Sequence, residues 1–140
     1  MERVIQGEII IPGVSSGVAL ASTEPLSFWG GYDQTTGEII DRRHPLSGEI
    51  GANRVLVLPY TRGSSTSTAI LLESVRAGVA PAALLTDRAD VFLALASVVA
   101  EEMYDGSFPM VALSREDFES IRTGDVISIE ERGLVRVTTS

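Results

Sequence analysis

The chain has 140 residues, 44% of them hydrophobic, with no cysteine, one histidine and a net charge of −8. The length fits a single domain, 1–140, with one compact core; the composition rules out disulfides, a thiolate nucleophile, a cysteine-ligated metal and a multi-histidine centre. Backbone recognition of nucleic acid needs clustered positive charge, which this acidic balance opposes. No apolar run approaches the roughly 20 residues of a membrane span, and Met1-Glu2-Arg3 lacks a secretory signal pattern, so a cytoplasmic location is expected.

The first half of the chain reads as β. Val4 to Ile11 is strand-like, broken by Gly7 and closed by Pro12-Gly13, and Gly17 to Ser22 is a second short run. The Gly-Val-Ser-Ser-Gly between them predicts a hairpin or a β-arch. Glu24 to Tyr32 holds the only tryptophan beside paired glycines. Thr36-Gly37 turns into a strand over Glu38 to Asp41, followed by a polar loop, Arg42-Arg43-His44-Pro45.

The second half reads as α/β. Arg54 to Leu58 is a short, almost continuous apolar strand of the kind buried on both faces in parallel sheets. Pro59 to Ser65 is a turn, and Thr66 to Ala77 is a helix with Gly78 as its C-cap. Ala80 to Leu85 is the next strand, Asp87 to Met103 a second helix with Asp87 as N-cap, and Phe108 to Leu113 a third strand. Ser114 with Asp117 opens a short helix, and Val126 to Ile129 with Leu134 to Val137 form a terminal hairpin. Alternating strands and helices imply right-handed crossovers and a small parallel sheet. With the β-rich N-terminal half and the C-terminal hairpin on the same core, the expected class is mixed α/β, with flanking helices and additional strands.

The strongest site signal is Tyr60-Thr61-Arg62-Gly63-Ser64-Ser65-Thr66-Ser67-Thr68, which follows a buried strand and starts a helix. Ligands of α/β sheets bind beyond the carboxyl ends of the strands. A helix N-terminus offers free N–H groups and roughly half a positive charge, which suits a carboxylate or phosphate. Gly63 permits close backbone approach, Arg62 can grip a carboxylate with two hydrogen bonds, and an alkoxide here is stabilised by the same dipole. The competing interpretation is a plain N-cap with a polar first turn. A Walker phosphate loop is excluded because all eleven basic residues are arginine. Phe28-Trp29-Gly30-Gly31-Tyr32 suits either a binding loop over a pocket or an aromatic core cluster at a tight turn. Asp41 near His44 suits either an oriented imidazole for acid–base work or a structural histidine in a polar loop.

Taken together, Pro25-Leu26-Ser27-Phe28-Trp29-Gly30-Gly31, Gly37 to Ile40 with Asp41-Arg42-Arg43-His44-Pro45, Arg62-Gly63-Ser64-Ser65-Thr66 and Ala80-Pro81-Ala82-Ala83 resemble the small subunit, or swivel domain, of aconitase X. The resemblance runs in order from about Gly7 to Val111. It implies a swivelling β/β/α fold and a large partner subunit that carries an iron or iron–sulfur site, with no cofactor bound by this chain. It further implies a serine base in the Gly-Ser-Ser turn, Ser64 first and Ser65 as fallback. Arg62, Gly63, Thr66, the Phe28-Trp29-Gly30-Gly31 loop and His44 would then contact a small hydroxy-acid substrate. Aconitases carry arginine directly after the two serines, where this chain has Thr66, so aconitase activity itself is not expected. Bacterial members resemble cis-3-hydroxy-L-proline dehydratases and archaeal members mevalonate 5-phosphate dehydratases. The long segment Glu101 to Phe108 favours the hydroxyproline substrate; Arg42 and Arg43 are the extra charges a phosphorylated one would want. The alternative of a different class is a non-catalytic module that binds a small carboxylate in the same turn.

Overall fold

The computed structural model describes residues 2–59, 65–88, 98, 99, 102 and 108–139, with the side chains of 29 and 65–68 outside that set. Eight strands form one sheet: β1 (Glu2–Gln6), β2 (Glu8–Ile11), β3 (Ser15–Ala21), β4 (Val55–Val57), β5 (Ala83–Thr86), β6 (Met110–Ala112), β7 (Val126–Ile129) and β8 (Leu134–Thr138). Helices α1 (Phe28–Gly31), α2 (Ser65–Ala77) and α3 (Arg115–Ser120) and a 3-10 turn at Glu131–Gly133 lie between them. The lateral order is β1-β8-β7-β3-β4-β5-β6-β2. Strands β3 to β6 are parallel neighbours, and the flanking strands join antiparallel.

That order places β1 and β2 at opposite edges, although only Gly7 separates them in the chain. The sheet therefore curls until its edges meet at Gly7, whose N–H donates to the Gly133 carbonyl at 2.9 Å.

The two faces bury separate cores, as a period of two requires. Val55, Val57, Ala83, Leu85 and Val111 point inward, with Phe118 and Ile121 closing the space from α3 and the turn after it. Their alternates Leu56, Leu58, Leu84 and Met110 point outward, against Leu71 of α2 and against Leu26, Phe28, Tyr32 and Ile39. Burial on both faces explains why β4 reads as an unbroken apolar run and confirms its parallel placement.

Most expected elements appear with bounds shifted by a few residues. The stretch across Gly13 is a β-arch, since β2 pairs β6 while β3 pairs β4 and β7. The expected strand over Glu38 to Asp41 reduces to isolated bridges, Tyr32 with Ile39 and Glu38 with Ile50. Gly78 has φ +77°, the left-handed conformation expected of a C-cap. Ser114 caps α3 by accepting from the Asp117 N–H at 3.2 Å. Of the expected helix from Asp87 to Met103, Val98, Val99 and Glu102 are helical, Asp87 and Arg88 are not, and the remainder lies outside the described residues. Among the described residues, no helix is long and apolar enough to cross a membrane.

Candidate functional site

Strand β4 ends at Val57 and α2 begins at Ser65, so the serine-rich segment follows the carboxyl end of a central parallel strand in the chain. This is where the sheet's own geometry puts ligand sites. Arg62, Gly63 and Ser64 lie outside the described residues. Ser65 and Thr66 form the first turn of α2, with side chains outside the described set. The 13 residues of α2 are long enough for a developed dipole, and its first turn carries no acidic side chain to neutralise the positive end.

Helix α1 packs against α2, which brings the tryptophan loop beside the serine helix. Within that loop the residues divide. Phe28 is fully buried, its ring tilted against Tyr32 with centroids 5.2 Å apart, so it seats the loop in the outer core. Tyr32 donates its hydroxyl to the Val79 carbonyl at 2.6 Å, and burial pushes its phenol well above the usual range. Gly30 is exposed with open space around it, Gly31 is buried beneath Leu26, and the side chain of Trp29 lies outside the described set.

His44 is also interior. Its Nδ1 accepts from the Leu46 N–H at 3.1 Å, which leaves Nε2 to donate to the Glu24 carbonyl at 3.1 Å. Both ring nitrogens are engaged with backbone, and the ring fastens the 41–46 loop to the segment that enters α1. The Asp41 carboxylate accepts from the Arg43 N–H instead of orienting the imidazole. The structural interpretation of His44 is the one this geometry favours, over substrate contact or acid–base work.

The sequence pattern did not single out the other polar groups at this end of the sheet. Asp87 follows β5, with its side chain only 3% exposed between Arg88 at 3.0 Å and Arg115 at 2.7 Å. Burial opposes its charge, but the hydrogen bonds and charges of the two arginines outweigh that and hold the carboxyl below its ordinary value. Arg115 also binds Glu119 at 2.6 Å. A cavity of about 230 Å³ opens at the carboxyl ends of β3 and β4, walled by Val57, Phe118 and Ile121 and rimmed by Ser22, Thr23 and Arg122. The only sequence signal for this rim is a pair of hydroxyl residues just after a strand. Among the described residues no three His, Asp or Glu side chains converge as a metal site.

A sheet that joins its own edges, half of it a parallel α/β unit with its polar turns gathered at one end, defines the swivelling β/β/α class. The family profile described as the aconitase X swivel domain matches residues 4–137. The cis-3-hydroxy-L-proline dehydratase of Hypocrea jecorina is 40% identical over 124 residues, covering 89% of this chain and 21% of that protein. The chain thus spans about a fifth of that relative's length. The phosphomevalonate dehydratase small subunit of Thermococcus sibiricus is 34% identical over 134 residues, covering 95% of this chain and 97% of that one. The crystal structure of Thermococcus kodakaraensis aconitase X in its holo-form superposes with a TM-score of 0.86 at 25% identity, over 98% of this chain and 99% of that one. The chain belongs to the aconitase X swivel-domain family.

Proposed function

We propose that this chain is the base-bearing small subunit of a two-chain hydro-lyase of the aconitase X type. The observation that carries this reading is that the Gly-Ser-Ser segment joins β4, a central parallel strand, to the N-terminus of α2, a helix that packs against α1. Family membership over nearly the whole chain supports it. The Ser64 alkoxide, with Ser65 as the alternate, takes a proton from the substrate carbon. The electron pair left behind forms the carbon–carbon double bond as the neighbouring hydroxyl departs as hydroxide, and that hydroxide with the proton taken up by the serine makes the water released. Amides of the first turn of α2, with Arg62, Gly63 and Thr66, hold the substrate's anionic group and favour the alkoxide. The large subunit would carry the iron or iron–sulfur site, which supplies Lewis acidity at the leaving hydroxyl.

The substrate we favour is cis-3-hydroxy-L-proline, supported by the higher identity to a hydroxyproline dehydratase. Mevalonate 5-phosphate is the second reading, supported by near end-to-end coverage of a phosphomevalonate dehydratase small subunit. Co-expression with the large subunit and assay on both compounds tests the proposal. Activity on one of them should require both chains, and Ser64→Ala should lower kcat by roughly a hundredfold or more, as loss of a general base does. Full activity of the single chain, or a Ser64→Ala complex as active as the parent, would overturn the reading. A complex that binds either compound without turnover would leave a carboxylate-binding module in its place.

A further inference from the structure

We infer that the cavity between the carboxyl ends of β3 and β4 and helix α3 is an oxyanion-binding subsite, with Arg122 as its charged residue and Thr23 as its second donor. Its kinetic consequence rests on the dehydratase reading above; its binding consequence does not.

The cavity, about 230 Å³, is large enough for a small carboxylic acid or phosphate ester and is continuous with apolar walls at Val57, Phe118 and Ile121. Charge at its rim is not balanced. Glu119, the acidic residue on the rim, is tied to Arg115, which is also tied to Asp87. Asp125 accepts from the Arg122 backbone N–H and so fixes the residue's main chain while leaving its guanidinium unpaired among the described residues. The Thr23 hydroxyl also has no partner among the described residues. Ser22 accepts from the Glu24 N–H through its hydroxyl, which keeps a proton to donate. Thr123, by contrast, is engaged in both directions with Ala21 and acts as a brace between β3 and the turn after α3. One uncompensated guanidinium and two free hydroxyl donors over an apolar floor are what an oxyanion requires and what a neutral ligand does not.

Position connects this subsite to the serine turn. Val57 forms one wall of the cavity, and its carbonyl accepts from the Ser22 N–H at 3.0 Å. The strand that walls the cavity, β4, is thus the one whose carboxyl end leads along the chain towards Ser65, the first residue of α2. The two family substrates differ in the anion they offer, a carboxylate alone or a carboxylate with a phosphate, so both fit the same chemistry.

The test uses Arg122→Gln and Arg122→Lys in the co-expressed complex and in the 140-residue chain. In an active complex, Arg122→Gln should raise KM for the turned-over substrate roughly tenfold or more, the usual cost of a lost charge-assisted hydrogen bond. kcat should stay within about threefold, and Arg122→Lys should recover part of the loss. A KM within twofold of the parent overturns the inference, as does loss of subunit assembly on size-exclusion chromatography with KM unchanged, which would make Arg122 a docking residue. If the complex has no dehydratase activity, the dehydratase reading fails and binding alone decides. Inorganic phosphate and acetate are then titrated into the chain by NMR. Saturable shifts at the amides of Ser22, Thr23 and Thr123 that vanish in Arg122→Gln support the subsite, and the stronger of the two ions identifies its anion. Shifts that are absent, or identical in the variant, overturn it.

Discussion

Gly7→Ala isolates the seam of the closed sheet. Gly7 joins the two edge strands, and a Cβ built there would lie 2.3 Å from Val111 Cγ1, 3.0 Å from Leu113 Cδ2 and 3.1 Å from the Ala112 carbonyl oxygen. Carbon atoms in contact sit about 3.5–4.0 Å apart, so the added methyl overlaps Val111 by more than an ångström. Val111 is 1% exposed within β6, and a β-branched side chain in a strand has little rotameric freedom with which to withdraw. The backbone at Gly7 is not in the left-handed region, so crowding is the whole effect. Relief requires the chain at Gly7 to move away from β6, which strains the Gly7 to Gly133 hydrogen bond. Overpacking of this kind costs about 1–3 kcal/mol. At about 4 °C per kcal/mol for a chain of this size, Tm falls by about 4–12 °C. Thermal unfolding followed by circular dichroism measures it. The double variant Gly7→Ala/Val111→Ala removes the atom that is struck and should be less destabilised than the sum of the single changes. A Gly7→Ala chain that melts within a degree of the parent, or strictly additive singles, would refute closure at this residue.

Two further outcomes follow from buried polar groups. Asp87→Asn should cost about 1–3 kcal/mol at pH 7 by leaving Arg88 and Arg115 without their shared carboxylate. Because the folded carboxyl lies below its unfolded value, the stabilisation is complete above about pH 4 and fades as pH falls through the lower folded value. Urea unfolding at pH 7, 5 and 3 should therefore show the gap between parent and variant closing at the acid end; a gap that widens there contradicts the ion-pair account. His44→Gln should destabilise by about 1–3 kcal/mol, because two backbone groups lose their ring partners. The folded complex should keep kcat/KM within about threefold; a hundredfold loss with unchanged Tm would place the imidazole in the chemistry after all.

The local pattern carried much of the fold. The apolar run at Val55 to Leu58, the glycine break at Gly7, the Gly78 C-cap and the Ser114 cap all state constraints satisfied within a few residues, and each appears close to where the sequence puts it. The serine-rich segment stands out in the sequence for the same reason, since a strand, a glycine, a row of hydroxyls and a helix start are consecutive in the chain; of these the described residues show the strand β4 and the start of α2 at Ser65. The Phe28-Trp29-Gly30-Gly31 loop was half legible. Its aromatic residues signalled importance, but whether a ring faces a pocket or a core depends on what packs opposite, and Phe28 meets Tyr32 inside the outer core.

What tertiary structure alone decided is which distant residues share a place. The sequence shows β1 and β2 as one interrupted strand; only the pairing of β1 with β8 and β2 with β6 makes them the two edges of a closing sheet. Arg122 and Thr23 are 99 positions apart in the chain and line a common cavity where Thr123 bonds to Ala21 at the end of β3. Asp87 reads as a helix cap until Arg115 folds over it from the far side of β6. Secondary structure is set by neighbours in the chain, through backbone geometry and the periodicity of apolar side chains. Which polar groups end up beside one another is set by strand order, and strand order is fixed by contacts between residues that the sequence keeps far apart.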